Sequence, residues 1–324
     1  MQTICYIVPF FGTLPPNFRL WLIGCEANPT IDWIVFTDDK TPYKFPKNVK
    51  YFYCSFNEMQ QRIQSHYDFP IDFSRPWRLA LMKSAYGEIF YEEIKNYDFW
   101  GYCDIDLMWG NIRKFYTEDI LTEYDRIGFQ GHSTLMRNTM ENNVIYRTLV
   151  PGKLSYKDIF SGKSDYSFDE NGMDAIYRYL KKNTYRAVNF ANLMKYNTSF
   201  FLGAMPKDDE QNNRYQIFTW KDGTLLRHYL DCNNNINQQE FCYIHFWCRP
   251  MKYAVKNYST ASKYYIYPDI MTDKSIEINI HSLKRYGRRT RLGFILNSLW
   301  VNRHKLTIKR ILFNLKNMHK KGYE

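Results

Sequence analysis

Short apolar runs alternate with amphipathic stretches through the first part of the chain. The runs at 4–9, 32–37 and 48–52 predict three β-strands, because each is apolar, short and bounded by polar or turn residues. Pro15-Pro16-Asn17 predicts the start of a helix that carries the apolar residues up to Cys25. A strand, a helix and a second strand at this spacing indicate a βαβ unit and hence a parallel sheet.

An acidic triplet follows directly on a later predicted strand. A helical pattern over 77–90 precedes a strand predicted at 97–102, and Asp104–Ile105–Asp106 comes immediately after that strand. Open α/β sheets bind ligands at the carboxyl ends of their strands. The triplet therefore stands where a binding site is expected.

The remaining pattern completes the prediction of an α/β fold. Further elements are predicted as strands at 127–129, 132–137 and 243–247, a helix at 172–182, a loop at 208–214, and a hairpin of 215–220 with 225–229 around Asp222-Gly223. We expect one catalytic domain over residues 1–270, with a mainly parallel central sheet, followed by a basic helical extension over 271–324.

Composition narrows the class of protein. The chain has 324 residues, 45% of them hydrophobic and 18% aromatic, which is typical of a folded globular protein. Its seven cysteines form no CxxC pair, so we expect buried reduced thiols and no zinc site. The N-terminus lacks the pattern of a signal peptide, and no run of 18 apolar residues predicts a membrane span. We therefore expect a cytoplasmic protein.

The positive charge is concentrated at the C-terminus. Residues 284–324 carry twelve Lys or Arg and one acidic residue, so the other 283 residues carry 32 bases and 32 acids and are neutral. Two apolar stripes at helical spacing run through this tail, at Leu292, Ile295, Leu296 and Leu299 and at Ile308, Ile311, Leu312 and Leu315. The stripes are offset by about 160°, which predicts two helices with a break near 302–305. An anionic membrane surface, packing on the catalytic domain and a nucleic-acid-binding arm remain open as roles.

The acidic triplet has a specific chemical use. Asp104 and Asp106 offer carboxylate oxygens to one ligand, and Mn²⁺ or Mg²⁺ prefers such oxygens together with substrate phosphates. A divalent cation held there would neutralise a nucleotide diphosphate and the charge that develops on it as a leaving group. Two solvated turn carboxylates are the other interpretation of the same triplet.

The run "DFWGYCDIDLMWGN" (98–111) resembles the DXD segment of GT-A glycosyltransferases, especially those of bacterial capsule and lipopolysaccharide loci. The preceding "RPWRLALMKSAYGEIF" (75–90) is similar to the segment that these proteins place before it. The similarity extends over roughly residues 4–255 and is specific only around the triplet. It implies a GT-A-like, Rossmann-type domain that binds a nucleoside-diphosphate sugar, commonly UDP-linked.

The resemblance also implies roles for particular residues in binding the nucleotide. Phe10, Phe11 and Gly12 would border it, and Asp38 or Asp39 would accept a hydrogen bond from base or ribose. A simple turn role remains open for Asp38. Contacts to the diphosphate are implied for four basic residues, Arg78, Lys83, Arg249 and Lys252.

A late histidine is the implied third metal ligand. His245 in "YIHFWCRPMK" stands where GT-A enzymes with such a histidine complete the metal shell. The sequence departs from the family pattern because no glycine lies between His245 and Lys252. A strand histidine bound to a backbone carbonyl is the alternative.

Three further residues are candidates for catalysis. His132 stands where the family places a loop that lines the donor sugar or the acceptor. Asp169 and Glu170 are candidate general bases for deprotonating an acceptor hydroxyl. Asp169 as an N-cap, with acids in the first helical turn, would explain the same residues without catalysis.

Together these features predict a metal-dependent glycosyltransferase. Its acceptor would be a glycan or a lipid-linked glycan, and the enzyme would be peripheral on the inner face of a bacterial cytoplasmic membrane. One rival is a nucleotidyltransferase or phosphotransferase using the same acidic pair, but "PFFGTLPPN" is not a glycine-rich phosphate loop. The other is a non-catalytic nucleic-acid-binding protein. No nucleic acid is expected, because residues 1–283 are neutral.

Overall fold

The computed structural model describes residues 1–193 and 215–288, together with positions 292, 295, 296 and 299. Its strands are β1 (Ile4–Pro9), β2 (Ile31–Thr37), β3 (Val49–Tyr53), β4 (Phe99–Cys103), β5 (Leu107–Trp109), β6 (Arg126–Gln130), β7 (Ser133–Arg137), β8 (Thr184–Tyr185), β9 (Phe190–Asn192), β10 (Gln216–Lys221), β11 (Thr224–Leu230), β12 (Ile236–Phe241), β13 (Tyr243–His245), β14 (Lys252–Ala254), β15 (Tyr264–Ile266) and β16 (Ile270–Thr272).

The helices are mostly short. They are α1 (Phe18–Glu26), α2 (Phe56–Gln64), α3 (Tyr86–Ile89), α4 (Tyr91–Ile94), α5 (Ile112–Phe115), α6 (Glu118–Glu123), α7 (Met140–Asn143), α8 (Tyr156–Phe160), α9 (Met173–Tyr179) and α10 (Ile280–Tyr286), with 3₁₀ segments at Pro76–Ala85 and Ile145–Arg147 and a π-helical turn at Phe168–Gly172. No helix in the described part of the chain has both the length and the apolar character to cross a membrane.

The chain divides into two compact units. The first contains Met1–Ile105 and Ile112–Ala187, and the second contains Asp106–Asn111 and the described residues from Val188 onward. The chain therefore passes from the first unit to the second inside the acidic triplet, between Ile105 and Asp106.

The first unit is built on a seven-stranded sheet with the order β3-β2-β1-β4-β7-β6-β8. The first four of these strands are parallel, whereas β7 runs antiparallel to both of its neighbours. A mixed α/β fold with a mainly parallel sheet is thus as predicted. Alternate residues of β1 face opposite sides: Cys5 and Ile7 join the main core, and Tyr6 stacks on Trp33 beside α1.

The second unit contains two sheets. A three-stranded sheet has the order β5-β13-β9, and a six-stranded, mainly antiparallel sheet has the order β12-β11-β10-β15-β16-β14. The predicted hairpin is present as β10 and β11, with Asp222 and Gly223 both at positive φ (48° and 78°). The other strands of this sheet were not predicted, because they are short and lack sustained alternation.

The structure describes only some of the residues to which the C-terminal predictions apply. Strand β16 crosses the predicted boundary at residue 270, and α10 buries Leu283 beside β10 and β11. Positions 292, 295, 296 and 299 are helical, and Leu292 and Leu296 are 66% and 56% exposed. The predicted loop at 208–214, the break near 302–305 and the second apolar stripe lie outside the described residues.

Candidate metal and nucleotide site

The sheet of the first unit gathers several predicted site residues at one edge. Because β1, β2 and β4 are parallel, the segments that follow them emerge together: residues 10–12, Asp38–Asp39 and Asp104. Strand β7 starts opposite the end of β4, with Ser133 paired to Cys103, so His132 lies at this edge too. The amide of Asp104 donates to the carbonyl of His132 over 3.0 Å.

The loop after β1 is held by the two aspartates after β2. The Asp38 carboxylate accepts a hydrogen bond of 2.7 Å from the amide of Gly12, and the Asp39 carboxylate accepts one of 2.7 Å from the amide of Leu14. Gly12 has φ +94°, a conformation that glycine adopts without strain. Phe11 belongs to the hydrophobic core and packs on Phe56, whereas Phe10 is only partly buried. The turn role left open for Asp38 is thus present in the structure, and it shapes the backbone that Phe10 and Gly12 display.

Lys83 is buried directly against the triplet. Its ammonium forms an ion pair with Asp104 and donates to the carbonyl of Gly131 over 2.8 Å. Burial by itself lowers the pKa of Lys83, but Asp104 and Asp169 together raise it above its ordinary value, so the amine stays charged. Lys83 therefore holds the Asp104 side chain in place.

The π-helical turn brings Asp169 and Glu170 to the same edge. Glu170 accepts the amide of Gly131 over 2.6 Å. A side chain at Gly131 would collide with the Asp169 carboxylate, since a Cβ there would stand 2.4 Å from Oδ2. Asp169 is 6% exposed, and burial raises its pKa to about 6 although Lys83 opposes the rise. A carboxyl group with this pKa exchanges protons near neutral pH, as a general base must.

Asp106 and His245 meet within the second unit. Strands β5 and β13 are antiparallel with Leu107 opposite His245, which places Asp106 beside the end of β13. The His245 Nε2 lies 3.2 Å from Oδ1 of Asp106, and the Cys248 amide donates to Oδ2 over 2.7 Å. Burial alone would raise the pKa of Asp106, but the imidazole and this amide lower it below its ordinary value. Asp106 is thus a carboxylate.

Asn192, which sequence reasoning missed, orients the imidazole. It lies opposite His245 on the neighbouring strand β9, and its Oδ1 is 2.9 Å from the His245 Nδ1. The amide oxygen accepts a hydrogen bond from Nδ1, so Nε2 is the ring nitrogen that faces the Asp106 carboxylate and is the atom that a cation would bind. No motif marked Asn192; only the strand pairing reveals it. Asp106 and this imidazole offer a carboxylate oxygen and a ring nitrogen, which are donors that fit a divalent cation.

The segment after His245 explains the missing glycine. Trp247 and Cys248 have φ of +45° and +52°, and the Arg249 amide donates to the Phe246 carbonyl over 2.7 Å. Two central residues at positive φ closed by such a bond make a type I′ turn, where Asn and Gly are the usual residues. The backbone therefore keeps the left-handed conformation that a glycine would supply, without the glycine.

The basic residues predicted to contact the diphosphate differ in burial and in their hydrogen-bond and ion-pair partners. Arg78 is buried and pairs with Asp72 at 2.9 Å, with Asp165, and with the Ile159 carbonyl at 2.7 Å. Arg249 is also buried, and its Nε donates to the Pro268 carbonyl over 2.5 Å. Lys252 is exposed at the start of β14. Of the four predicted phosphate contacts, Lys252 is the one whose side chain lies at the surface.

The fold and site define an open α/β protein with a carboxylate–imidazole pair that fits a cation. Residues 6–275 match the model described as a family of unknown function (DUF6625), and the chain belongs to this family. Among curated proteins no match is found.

Two solved structures of LgtC are similar to the chain. One is an active-site mutant of LgtC, 12% identical over 78% of this chain and 89% of that chain, with a TM-score of 0.38. The other is the galactosyltransferase LgtC in complex with donor and acceptor sugar analogs, 13% identical over 78% of this chain and 88% of that chain, also with a TM-score of 0.38.

Proposed function

We propose that this protein is a metal-dependent glycosyltransferase that moves a sugar from a UDP-linked donor to a lipid-linked surface glycan. The observation that carries the proposal is the contact between Asp106 and His245, 3.2 Å apart, with the amide oxygen of Asn192 behind the imidazole. Asp104 precedes Asp106 by two residues at the end of β4. A carboxylate paired with an imidazole, directly after the end of a parallel strand, has the composition of a cation and diphosphate site.

Asp104, Asp106 and His245 would hold Mn²⁺ or Mg²⁺, since each offers one ligand atom. Such an ion would neutralise the donor diphosphate and the charge that grows on it as it leaves. Lys83 contributes by fixing the Asp104 carboxylate, and Asn192 contributes by fixing the tautomer of His245. These contacts pre-organise the ligands, so less ordering is required when the donor binds.

Asp169 is our candidate for the general base. In the transfer, the acceptor hydroxyl oxygen bonds to the anomeric carbon, the bond from that carbon to the phosphate oxygen breaks, and the hydroxyl proton needs an acceptor. Glu170 is already engaged with the Gly131 amide. Asp169 has a pKa of about 6 and is mostly ionised at pH 7, so it can take that proton.

The tail would place the enzyme on its acceptor. Residues 284–324 hold the whole excess of positive charge, and Leu292, Leu296 and Leu299 are exposed at helical positions. A basic, apolar surface of this kind binds anionic membranes, with about 1 kcal/mol from each cation near the surface. We propose that it holds the enzyme on the inner face of a bacterial cytoplasmic membrane.

Thermal unfolding with nucleotide sugars tests the assignment. UDP-glucose, UDP-galactose, UDP-N-acetylglucosamine and GDP-mannose are each added with and without Mn²⁺. We expect one UDP-sugar to stabilise the protein only with Mn²⁺, by about 2.7 kcal/mol at a hundredfold excess over its Kd.

Two variants complete this experiment. The stabilisation should vanish in Asp106→Asn and persist in Asp68→Asn, which removes the same charge from an exposed position in the first unit. If no sugar nucleotide stabilises the folded wild type in either condition, the protein is not a glycosyltransferase of this kind.

A further inference from the structure

Trp247 is one of two exposed tryptophans among the seven that the structure describes, and unlike Trp77 it carries no arginine over its ring. Five of these seven side chains are fully buried: Trp21, Trp33, Trp100, Trp109 and Trp220. Trp247 is 47% exposed, and within the described residues it has no hydrogen bond, ion pair or ring contact. Its indole therefore leaves a large apolar face and one N–H donor in water.

The backbone at Trp247 is costly as well. A bulky residue at φ +45°, followed by Cys248 at +52°, occupies a region that favours glycine and asparagine. Strain of this kind persists only where surrounding contacts enforce it, and it is concentrated at functional sites. Neither the exposure nor the strain is offset by a hydrogen bond, ion pair or ring contact of Trp247 within the described structure.

The turn that contains Trp247 is hydrogen-bonded to Asp106, the proposed metal ligand. The Phe246 amide donates to the Asp106 carbonyl over 2.9 Å, and the Cys248 amide donates to the Asp106 carboxylate over 2.7 Å. Hydrogen bonds from both neighbours of Trp247 thus end on one residue. The Cα of Trp247 is held in a fixed position two residues from His245.

We propose that the indole of Trp247 is a binding platform for a sugar ring of the acceptor, a role that rests on the proposed glycosyl transfer. A pyranose ring has an apolar C–H face surrounded by hydroxyl groups. An exposed indole matches it, because the ring system covers the apolar face and the N–H donates to a hydroxyl oxygen. The nucleoside already has candidate contacts in Phe10, Gly12 and Asp38, whereas the acceptor so far has only the candidate base Asp169 and the predicted loop residue His132, and no aromatic surface.

Trp247→Gly gives a sharp test because glycine suits the backbone at this position. The variant removes the indole and also relieves the strain, so it should fold with unchanged or higher thermal stability. Trp247→Phe keeps an aromatic face without the N–H. Tyr179→Ala is the matched control, since Tyr179 is a 54% exposed aromatic residue of α9.

Binding is measured calorimetrically on the full chain with two kinds of probe. One is UDP with Mn²⁺, and the other is lactose, maltose or cellobiose added in the presence of UDP and Mn²⁺. We expect at least one disaccharide to bind the wild type, about tenfold or more weakly to Trp247→Gly, and with most of its affinity to Trp247→Phe. Affinity for UDP should stay within twofold in every variant, and Tyr179→Ala should match the wild type.

Three results would overturn the role of Trp247. They are equal disaccharide binding by wild type and Trp247→Gly, no disaccharide binding by a wild type that binds UDP, and a loss of UDP affinity in Trp247→Gly. The last result would assign the indole to the nucleotide. If the wild type fails to bind UDP with Mn²⁺, the UDP-linked transfer proposed above is overturned, and the disaccharide titrations still judge Trp247 separately.

Discussion

At the scale of single residues, the partners of a carboxyl group that is removed from solvent decide whether it is charged. Asp169 is buried and Asp106 is partly buried, and burial alone would raise the pKa of each. Asp106 has an imidazole and a backbone amide as hydrogen-bond partners, and its pKa falls. Asp169 lies near the like charges of Glu170 and Asp104, and its pKa rises despite Lys83. The two carboxyl groups are thereby suited to different tasks, one to binding a cation and the other to moving a proton.

Asp169→Asn should stabilise the protein at neutral pH. The folded-state pKa of about 6 exceeds the ordinary 3.8, so between these values the folded protein binds more protons than the unfolded chain. The free energy of unfolding of the wild type therefore falls as the pH rises through this window. Asparagine mimics the protonated form, so the variant should be more stable by about 1–3 kcal/mol at pH 7 and equal near pH 4.

Urea unfolding of both proteins from pH 4 to pH 8 measures this difference. Asp158→Asn is the control for which the opposite change in stability is expected. Hydrogen bonds from Ser155 hold the pKa of the Asp158 carboxyl group at about 2, below its ordinary value. A gap between wild type and Asp169→Asn that stays constant across the range would show that Asp169 is not neutralised near pH 6.

At the scale of elements, strand pairing converts distant segments into one site. The register between β5 and β13 sets Asp106 beside His245, and the register between β13 and β9 adds Asn192. The turn after β13 then adds the Cys248 amide. The sequence showed the strand at 243–247 and its histidine, but it contained no sign of the partners, because pairing between short strands depends on long-range contacts rather than on local pattern.

Cys248→Gly should relieve about 1 kcal/mol of backbone strain and so should not destabilise the protein. The residue has φ +52°, which costs an L-amino acid with a side chain roughly that much and costs glycine little. The backbone amide of residue 248 keeps its hydrogen bond to the Asp106 carboxylate in the variant, whereas the hydrogen bond of the thiol to the same carboxylate is lost. The measurement is the midpoint of thermal unfolding.

Cys232→Gly is the matched control for this change. Cys232 is also exposed, but its φ is not positive, so glycine there adds only freedom to the unfolded chain and should destabilise. Equal destabilisation by the two substitutions would contradict the strained turn.

At the scale of the whole molecule, charge is segregated along the chain. Residues 1–283 carry equal numbers of acidic and basic groups, and the excess of eleven positive charges lies in residues 284–324. Helix α10 ends at Tyr286, whose ring stacks on Tyr267 at 5.0 Å. A truncation that leaves α10 intact must therefore end after it.

A chain that ends at Arg288 should lose its affinity for anionic membranes. The truncation removes nine Lys or Arg and one acidic residue while keeping the packing of Leu283 and Tyr286. We expect co-sedimentation with phosphatidylglycerol vesicles to fall at least tenfold, and the thermal shift with UDP-sugar and Mn²⁺ to remain. Co-sedimentation with phosphatidylcholine vesicles, which lack the anionic headgroup, is the control for the contribution of lipid charge. Undiminished binding of the truncated chain would remove the tail from this role.

The sequence by itself determined what local pattern controls. It indicated every strand of the first unit's sheet except β8, helix α1, the acidic triplet at the end of β4, and the charge of the tail, because apolar periodicity and composition are local properties. It predicted the hairpin at Asp222-Gly223 for the same reason. The helix predicted over 77–90 is a 3₁₀ segment up to Ala85. Single-sequence pattern could not indicate which segments pair across a hundred residues or more.

Only the tertiary structure decided the environments of the candidate groups. It buried Lys83 against Asp104, raised the pKa of Asp169, placed Asn192 behind His245, and left Trp247 exposed on a left-handed turn. Each outcome depends on desolvation or on contacts between residues far apart in the chain. Desolvation and long-range contacts cannot be calculated from the residues next to a group in the sequence. The charge states and contacts of the site are therefore set only when the chain is folded.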